Sequence, residues 1–208
     1  METVQESADR EKTFFEVVSN QRACRRFSDA PVADDDIATV LRAATFAPSS
    51  ENRQPWEFVV VRAAETREAI GSIMAQLWNA GRELSKQRSD PSVFADVDQG
   101  IAGGGIVAAP VLVVVGGDTR LVHRKWLLSS VYPAVQNILL AANALNLGSA
   151  FTTLATNRAD ELRALVGFPE EVDPIAVVPL GHPSRPLGPP RRVPFNERTS
   201  RERYGNGW

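Results

Sequence analysis

The strongest constraint on this chain is the stretch from about Lys125 to Leu147, where apolar residues fall on every side of a helical wheel. Trp126, Leu127, Leu128, Val131, Val135, Ile138, Leu139, Ala142 and Leu145 predict a helix buried on most of its circumference, in the core or in a subunit interface. Pro133 either kinks that helix or marks its true start, because its nitrogen donates no hydrogen bond. Gly148 is the expected C-terminal cap. At 208 residues the chain is long enough for one full α/β or α+β domain.

The remaining elements follow from periodicity. Phe14, Val17, Val18 and Gln21 share a face and predict a helix over about 13–22. Asp34 is an N-cap candidate, with Asp35 and Asp36 where the helix dipole favours carboxylates. Ile37, Val40, Leu41 and Ala44 form the stripe of that helix, and Pro48 stops it. Trp56–Arg62 reads as a strand whose Val59-Val60-Val61 run suits burial on both faces. Ile70, Ile73, Met74, Leu77 and Trp78 mark a third helix. From Gly81 to Gly105 the pattern weakens, and Gly100, Gly103, Gly104 and Gly105 predict a mobile connection before a strand at Val111–Val115. A short helix over about 160–166 and a strand at Ile175–Gly181 complete the order. Pro183, Pro186, Pro189, Pro190 and Pro194 then predict an extended arm, with the apolar Trp208 packed on something. One domain over 1–208 is expected, with residues 1–12 as an N-terminal extension and 183–208 as the arm.

Composition and motifs exclude much. A net charge of −2 gives no electrostatic basis for nucleic acid as a partner. No run approaches the roughly 20 apolar residues of a membrane span. The acidic start (Glu2, Glu6, Asp9, Glu11) lacks the apolar run of a secretory signal, so a soluble, cytoplasmic protein is expected. A single cysteine, Cys24, rules out an internal disulfide or a multi-cysteine metal site, and it is read as a buried small hydrophobe. Two histidines, His123 and His182, leave little for a triad or a metal cluster, and His182 is read as a hydrogen-bonded structural residue. No zinc-protease helix, nucleophile elbow or P-loop occurs. Gly103-Gly-Gly105 precedes its strand, the wrong order for a dinucleotide loop, and Gly116-Gly117 develops no further glycine spacing, so the Rossmann arrangement fails.

Two features are positive. Arginines cluster early (Arg22, Arg25, Arg26) and late (Arg185, Arg191, Arg192, Arg198, Arg201, Arg203), which suits a local anion site in a near-neutral chain; solvated surface arginines are the alternative. Between the second helix and the Trp56 strand lie Ser49, Ser50, Asn52, Arg53 and Gln54. Such groups can face the edge of a planar heterocycle and its polyol chain. Taken alone, the segment reads as a polar turn capped by its serines.

Gln21-Arg-Ala-Cys-Arg-Arg-Phe27, then Pro31-Val32, then Ala43-Ala-Thr-Phe-Ala-Pro-Ser-Ser-Glu-Asn-Arg-Gln-Pro-Trp-Glu-Phe-Val-Val-Val61 resemble the FMN-dependent nitroreductase family, whose patterns run R-R-S-x-R-x-F and A-P-S-x-x-N-x-Q-P-W-x-F. The stretch Ala134–Gly148, Leu180-Gly-His-Pro183 and Arg192-Val-Pro194 extend the resemblance, which spans about Phe14 to Tyr204 in consistent order. It implies an α+β nitroreductase-like fold, with a central, mainly antiparallel sheet flanked by helices, in a homodimer that holds FMN at the subunit interface. By position, Arg22, Ala23 and Arg25 are implied near the ribityl phosphate and the pyrimidine edge, and Arg191 and Arg192 at the phosphate. Ser49, Ser50 and Asn52 are implied to approach the flavin from the partner subunit, with Gln54 close to that interface and Pro48 among the cofactor-binding residues, and backbone at Thr152 and Thr153 is implied as facing the N5 side. Guanidinium forks match phosphate oxygens bidentately, and a cation near N1 stabilises the anionic reduced ring. Gln21 and Ala23 stand where the family has arginine and serine, which weakens the anion clamp.

The resemblance also implies the reaction. The chain is expected to be an FMN-dependent NAD(P)H oxidoreductase, with NADH or NADPH as electron donor, that reduces a small organic acceptor such as a nitroaromatic or quinone by ping-pong hydride transfer. The chemistry would be carried by FMN, with no catalytic side chain and no metal. Reductive dehalogenation on the same fold, and non-catalytic flavin binding, are the alternatives.

Overall fold

The structure, a computed structural model, describes residues 12–208. The acidic start and nearly all of the expected N-terminal extension lie outside the described residues. In chain order the elements are α1 (Phe14–Asn20), α2 (Asp34–Ala44), β1 (Trp56–Val61), α3 (Ala64–Arg88), α4 (Pro91–Ile101), β2 (Val111–Asp118), α5 (Arg124–Ala144), β3 (Gly148–Ser149), α6 (Ala159–Val166) and β4 (Val172–Gly181). The strands lie side by side in the order β1-β2-β4-β3, and every pairing is antiparallel.

Strand β2 organises the layers, because every one of its residues is buried. Its side chains alternate across the sheet. Val111, Val113 and Val115 join Ala176, Val178 and Leu180 of β4 beneath α2 and α5, whereas Leu112 and Val114 join Val177 beneath α3 and α6. An apolar run on both faces is what a central strand between two helical layers needs. The fold is α+β, with a central antiparallel sheet flanked by helices.

Several expectations need correction. Strand β1 pairs only with β2, so it is an edge, and Val59 and Val60 are not buried; β-branched content signalled a strand but not its depth. In α1, capped by the Thr13–Glu16 capping box, only Val17 of the expected face is buried, and Phe14 and Val18 remain exposed. Helix α5 runs through Pro133, and its cover is not complete, since Trp126 and Leu128 are exposed. Asp34 sits inside the first turn of α2 with Ala33 at the cap position, and its carboxylate pairs with Arg62. The 81–105 stretch is not a loose connection: α3 continues to Arg88, and α4 follows after a short turn. Gly148 starts β3 instead of capping α5, whose cap is Leu145, and a β-carbon at Gly148 would lie 2.7 Å from the Cys24 sulfur.

The remaining chain beyond Pro183 is extended apart from a short 3-10 turn at Phe195–Glu197 and an isolated bridge between Ser200 and Gly207. Trp208 packs within this arm, edge-on to Phe195 and beneath the Arg201 guanidinium. For His182 it is the backbone that bonds, its carbonyl accepting from the Ser28 N–H at 2.9 Å. Cys24 is buried, as expected, and burial pushes its thiol pKa up. Among the described residues no helix is long and apolar enough to cross a membrane.

Candidate cofactor site

The segment from Gln21 to Ser28 is an extended strap. Ala23 bridges Ser149, the Cys24 N–H donates to the Ser149 carbonyl at 2.8 Å, and Phe27 bridges Pro183, so the strap is fastened to β3 and to the end of β4. Cys24 and Phe27 go into the core as anchors. That leaves Arg22 and Arg25 lining a cleft of about 800 Å³, within the usual size range of small-molecule and cofactor sites.

The arm closes the far side of this cleft and adds Arg185, Arg191 and Arg192. Arg22 Nη1 donates to the Gly188 carbonyl at 3.1 Å, and Arg192 Nη1 to the Arg191 carbonyl at 2.9 Å, which holds both guanidinia at the cleft with no acid partner among the described residues. Two carboxylates also line it, Asp90 and Asp96. Asp90 caps α4, and the Ser92 hydroxyl, then the Ser92 and Val93 N–H groups, hold it below the usual carboxylate range. Asp96 Oδ2 accepts from Arg25 Nη1 at 2.6 Å. The balance is cationic, so the cleft is suited to an anion.

Arg25 and Phe151 line both this cleft and a second, smaller hollow of about 290 Å³. Trp78, Ile101, Ile106 and Phe151 give the hollow apolar walls, and Thr152, Thr153 and Asn157 supply polar groups. The backbone of Thr152 is pinned to Val177 of β4 by bonds of 2.8 and 3.1 Å. Trp78 is held by its Nε1 donating to Asp98 at 2.7 Å and by stacking on Phe94. Arg82 grips the same carboxylate with two bonds, and the Arg82 and Trp78 donors push the Asp98 pKa down to about 2. A cationic mouth leading to an apolar slot fits a ligand with a phosphate at one end and a planar ring at the other.

The Ser49–Gln54 loop lies elsewhere. Glu51, Asn52 and Gln54 have φ of 50°, 55° and 50°, a left-handed conformation that costs a non-glycine residue roughly 1–3 kcal/mol. It is held there from several sides. The Gln54 N–H donates to Ser49 Oγ at 2.9 Å, and the Ser50 N–H to the buried Ser130 Oγ of α5 at 3.0 Å. Strain of this kind persists only where surrounding bonds over-determine it, and it clusters at active sites and ligand clamps.

Of the residues singled out from sequence, Arg22, Ala23, Arg25, Arg191 and Arg192 meet in the cleft, and Thr152 and Thr153 join Arg25 in the slot. Pro48, Ser49, Ser50, Asn52 and Gln54 line neither hollow of their own chain. Sequence reasoning missed Asp90, Asp96, Phe151 and Asn157 as lining residues and took Trp78 for core. The Asp90-Pro91 pair, a capping residue followed by proline at the first helical position, was a readable signal for α4.

The model of the Nitroreductase family matches residues 18–182. The chain belongs to the nitroreductase family. Among the relatives of this family member, a protein of Archaeoglobus fulgidus named as an NADH dehydrogenase/NAD(P)H nitroreductase is 31% identical over 80% of this chain and 83% of its own. Iodotyrosine deiodinase 1 of Rattus norvegicus is 29% identical over 87% of this chain and 66% of its own. Among solved structures, a Desulfovibrio desulfuricans protein described as a nitroreductase, in complex with FMN, superimposes with a TM-score of 0.72 at 25% identity, covering 94% of this chain and 99% of the other. Membership makes this nitroreductase-family chain an oxidoreductase of the flavin-dependent class.

Proposed function

We propose that the protein is a cytoplasmic FMN-dependent NAD(P)H oxidoreductase that reduces a small organic acceptor, working as a homodimer of single-domain chains. The observation that carries this reading is that the arginine cleft and the apolar slot adjoin, sharing Arg25 and Phe151 as lining residues. The donor set fits FMN. Arg22, Arg191 and Arg192 present guanidinium forks to a phosphate, Arg25 stands where the phosphate end passes into the ring end, and the Thr152–Thr153 backbone forms one wall of the ring slot.

When bound, FMN supplies a two-electron carrier between NADH or NADPH and the acceptor in a ping-pong cycle. The chain's residues bind it, orient it and shape access, so no protein acid or base is needed for hydride transfer from the nicotinamide. Ser49, Ser50, Asn52 and Gln54 then find their role on the neighbouring subunit's flavin, with Pro48 leading into that loop. Exposed apolar side chains support a second copy as the cover: Phe15 and Phe46 are 80% and 81% exposed, and Phe14, Trp126 and Leu128 are also uncovered. Such surface on a single chain marks an interaction site.

Purification tests the reading. The protein is expected to bind FMN and to bleach anaerobically when NADH or NADPH is added. Flavin that binds but is never reduced identifies a binding module instead, and indifference to added FMN overturns both. The resemblance to a deiodinase favours one further reading, a halogenated aromatic as acceptor with release of halide. A screen of acceptors against the reduced protein, scoring halide release beside nitro and quinone reduction, separates the two.

A further inference from the structure

Arg25 is the only charged residue among the described residues lining the apolar slot. Any negative charge that develops on a ring held there therefore meets one cation. That cation is not free. Its Nη1 is bonded to Asp96 Oδ2 at 2.6 Å, with side-chain exposures of 22% and 33%, so both charges are partly withdrawn from water.

The pairing is built into the fold. Helix α4, which carries Asp96, presents Gly100 to the Arg25 side chain, where a β-carbon would fall 2.6 Å from Cδ and 2.8 Å from Cβ. Just beyond the helix, a β-carbon at Gly105 would fall 2.2 Å from the Arg25 carbonyl oxygen. Two glycines thus let the strap lie flat against this segment, with the guanidinium reaching Asp96. An arginine that only had to bind an anion would need no carboxylate beside it, and an acid paired to it lowers the cleft's affinity for anions.

We propose that Asp96 is a positioning residue which acts through Arg25, fixing its guanidinium at the junction of cleft and slot and offsetting part of its charge, and so sets the redox bias of the ring bound there. The inference rests on the FMN reading above. Two electrons and one proton arriving from NAD(P)H, which leaves as NAD(P)⁺, put one negative charge on the ring. Arg25 stabilises that charge and Asp96 opposes it. The carboxylate therefore keeps the bound cofactor a stronger reductant than Arg25 alone would allow.

The test is the midpoint potential of FMN bound to the full-length protein, measured for wild type, Asp96→Asn and Asp96→Glu. Asn keeps an oxygen acceptor for Arg25 and removes the charge. Asp96→Asn is expected to bind reduced FMN about tenfold more tightly relative to oxidised FMN, an upward shift of about 30 mV for a two-electron couple. Asp96→Glu, which restores the charge, is expected to return toward the wild-type potential. An unchanged potential in Asp96→Asn overturns the proposal while leaving the FMN reading intact, as does an equal shift in Asp96→Glu, which would assign the effect to packing. Failure of the wild type to bind FMN at all overturns the reading, and this proposal with it.

Discussion

The cleft that carries Arg22, Arg25, Arg191 and Arg192 is assembled from distant parts of the chain, whereas Ser49–Gln54 is a local loop that folds on itself. The cleft depends on the strap, α4 and the arm meeting, through contacts such as Arg25–Asp96 and Arg22–Gly188 between residues 71 and 166 positions apart. The loop depends on short-range bonds and one tie to Ser130. One region is an open hollow whose guanidinia are held by contacts with distant residues; the other is a stiff, strained edge that lines neither the cleft nor the slot. The difference is what the proposed homodimer asks of one chain: a receptive half and a preformed half of a site that two copies would complete.

The largest effect is expected at Gly105, where the strap meets the end of α4. Alanine there sets a β-carbon against the Arg25 carbonyl, which cannot swing away as a side-chain tip can. A loss of about 3 kcal/mol of stability is expected, seen as a lower denaturation midpoint at unchanged slope. Arg192→Ala leaves the fold intact and removes one charge-assisted phosphate contact. FMN affinity should fall by about 1.5–3 kcal/mol in a titration, and an unchanged affinity removes Arg192 from the phosphate site.

On the loop side, Ser130→Ala strips the Ser50 N–H of its acceptor. The expected cost is about 1–2 kcal/mol of stability, with faster hydrogen exchange at Ser50 and unchanged exchange across the strap. Loosening of both regions together would mean that they are not independent.

The smallest effect sharpens the boundary of the cleft. Asp98 titrates at about 2 in the folded chain, below its ordinary 3.8, because Arg82 and Trp78 donate to it. Its stabilisation is therefore fully present above pH 4 or so and is lost as pH falls through about 2. The difference in melting temperature between wild type and Asp98→Asn should be present at pH 7 and vanish toward pH 2. A difference independent of pH would mean that the Arg82–Asp98 pair holds Trp78 by shape and not by charge.

Much of the fold could be read from the sequence because single elements carry strong local patterns. The stripe of α2 and the valine run of β2 are examples, and the motifs at 21–27 and 43–61 pointed to the family. Depth and pairing were harder. Val59-Val60-Val61 has the composition of an inner strand, yet it lies at an edge, since neighbours far along the chain decide position in a sheet. Gly100 and Gly105 looked like parts of a flexible connection because their reason for being glycine is Arg25, 75 to 80 positions away. For the same reason Asp96 was invisible: nothing beside it in sequence indicates that it faces an arginine. The Ser49–Gln54 loop was legible as a polar turn, but its left-handed strain is a property of the bonds that pin it.

Subunit mixing tests the shared site most directly. One chain would carry Arg22→Ala with Arg192→Ala, and the other Ser49→Ala with Asn52→Ala, each pair expected to weaken FMN binding strongly on its own. If the cleft of one copy is completed by the loop of another, co-refolded mixtures regain FMN binding, because each mixed dimer contains one site with both halves intact. If mixtures bind no more FMN than the two variants apart, the site lies within a single chain and the account of two complementary halves is wrong.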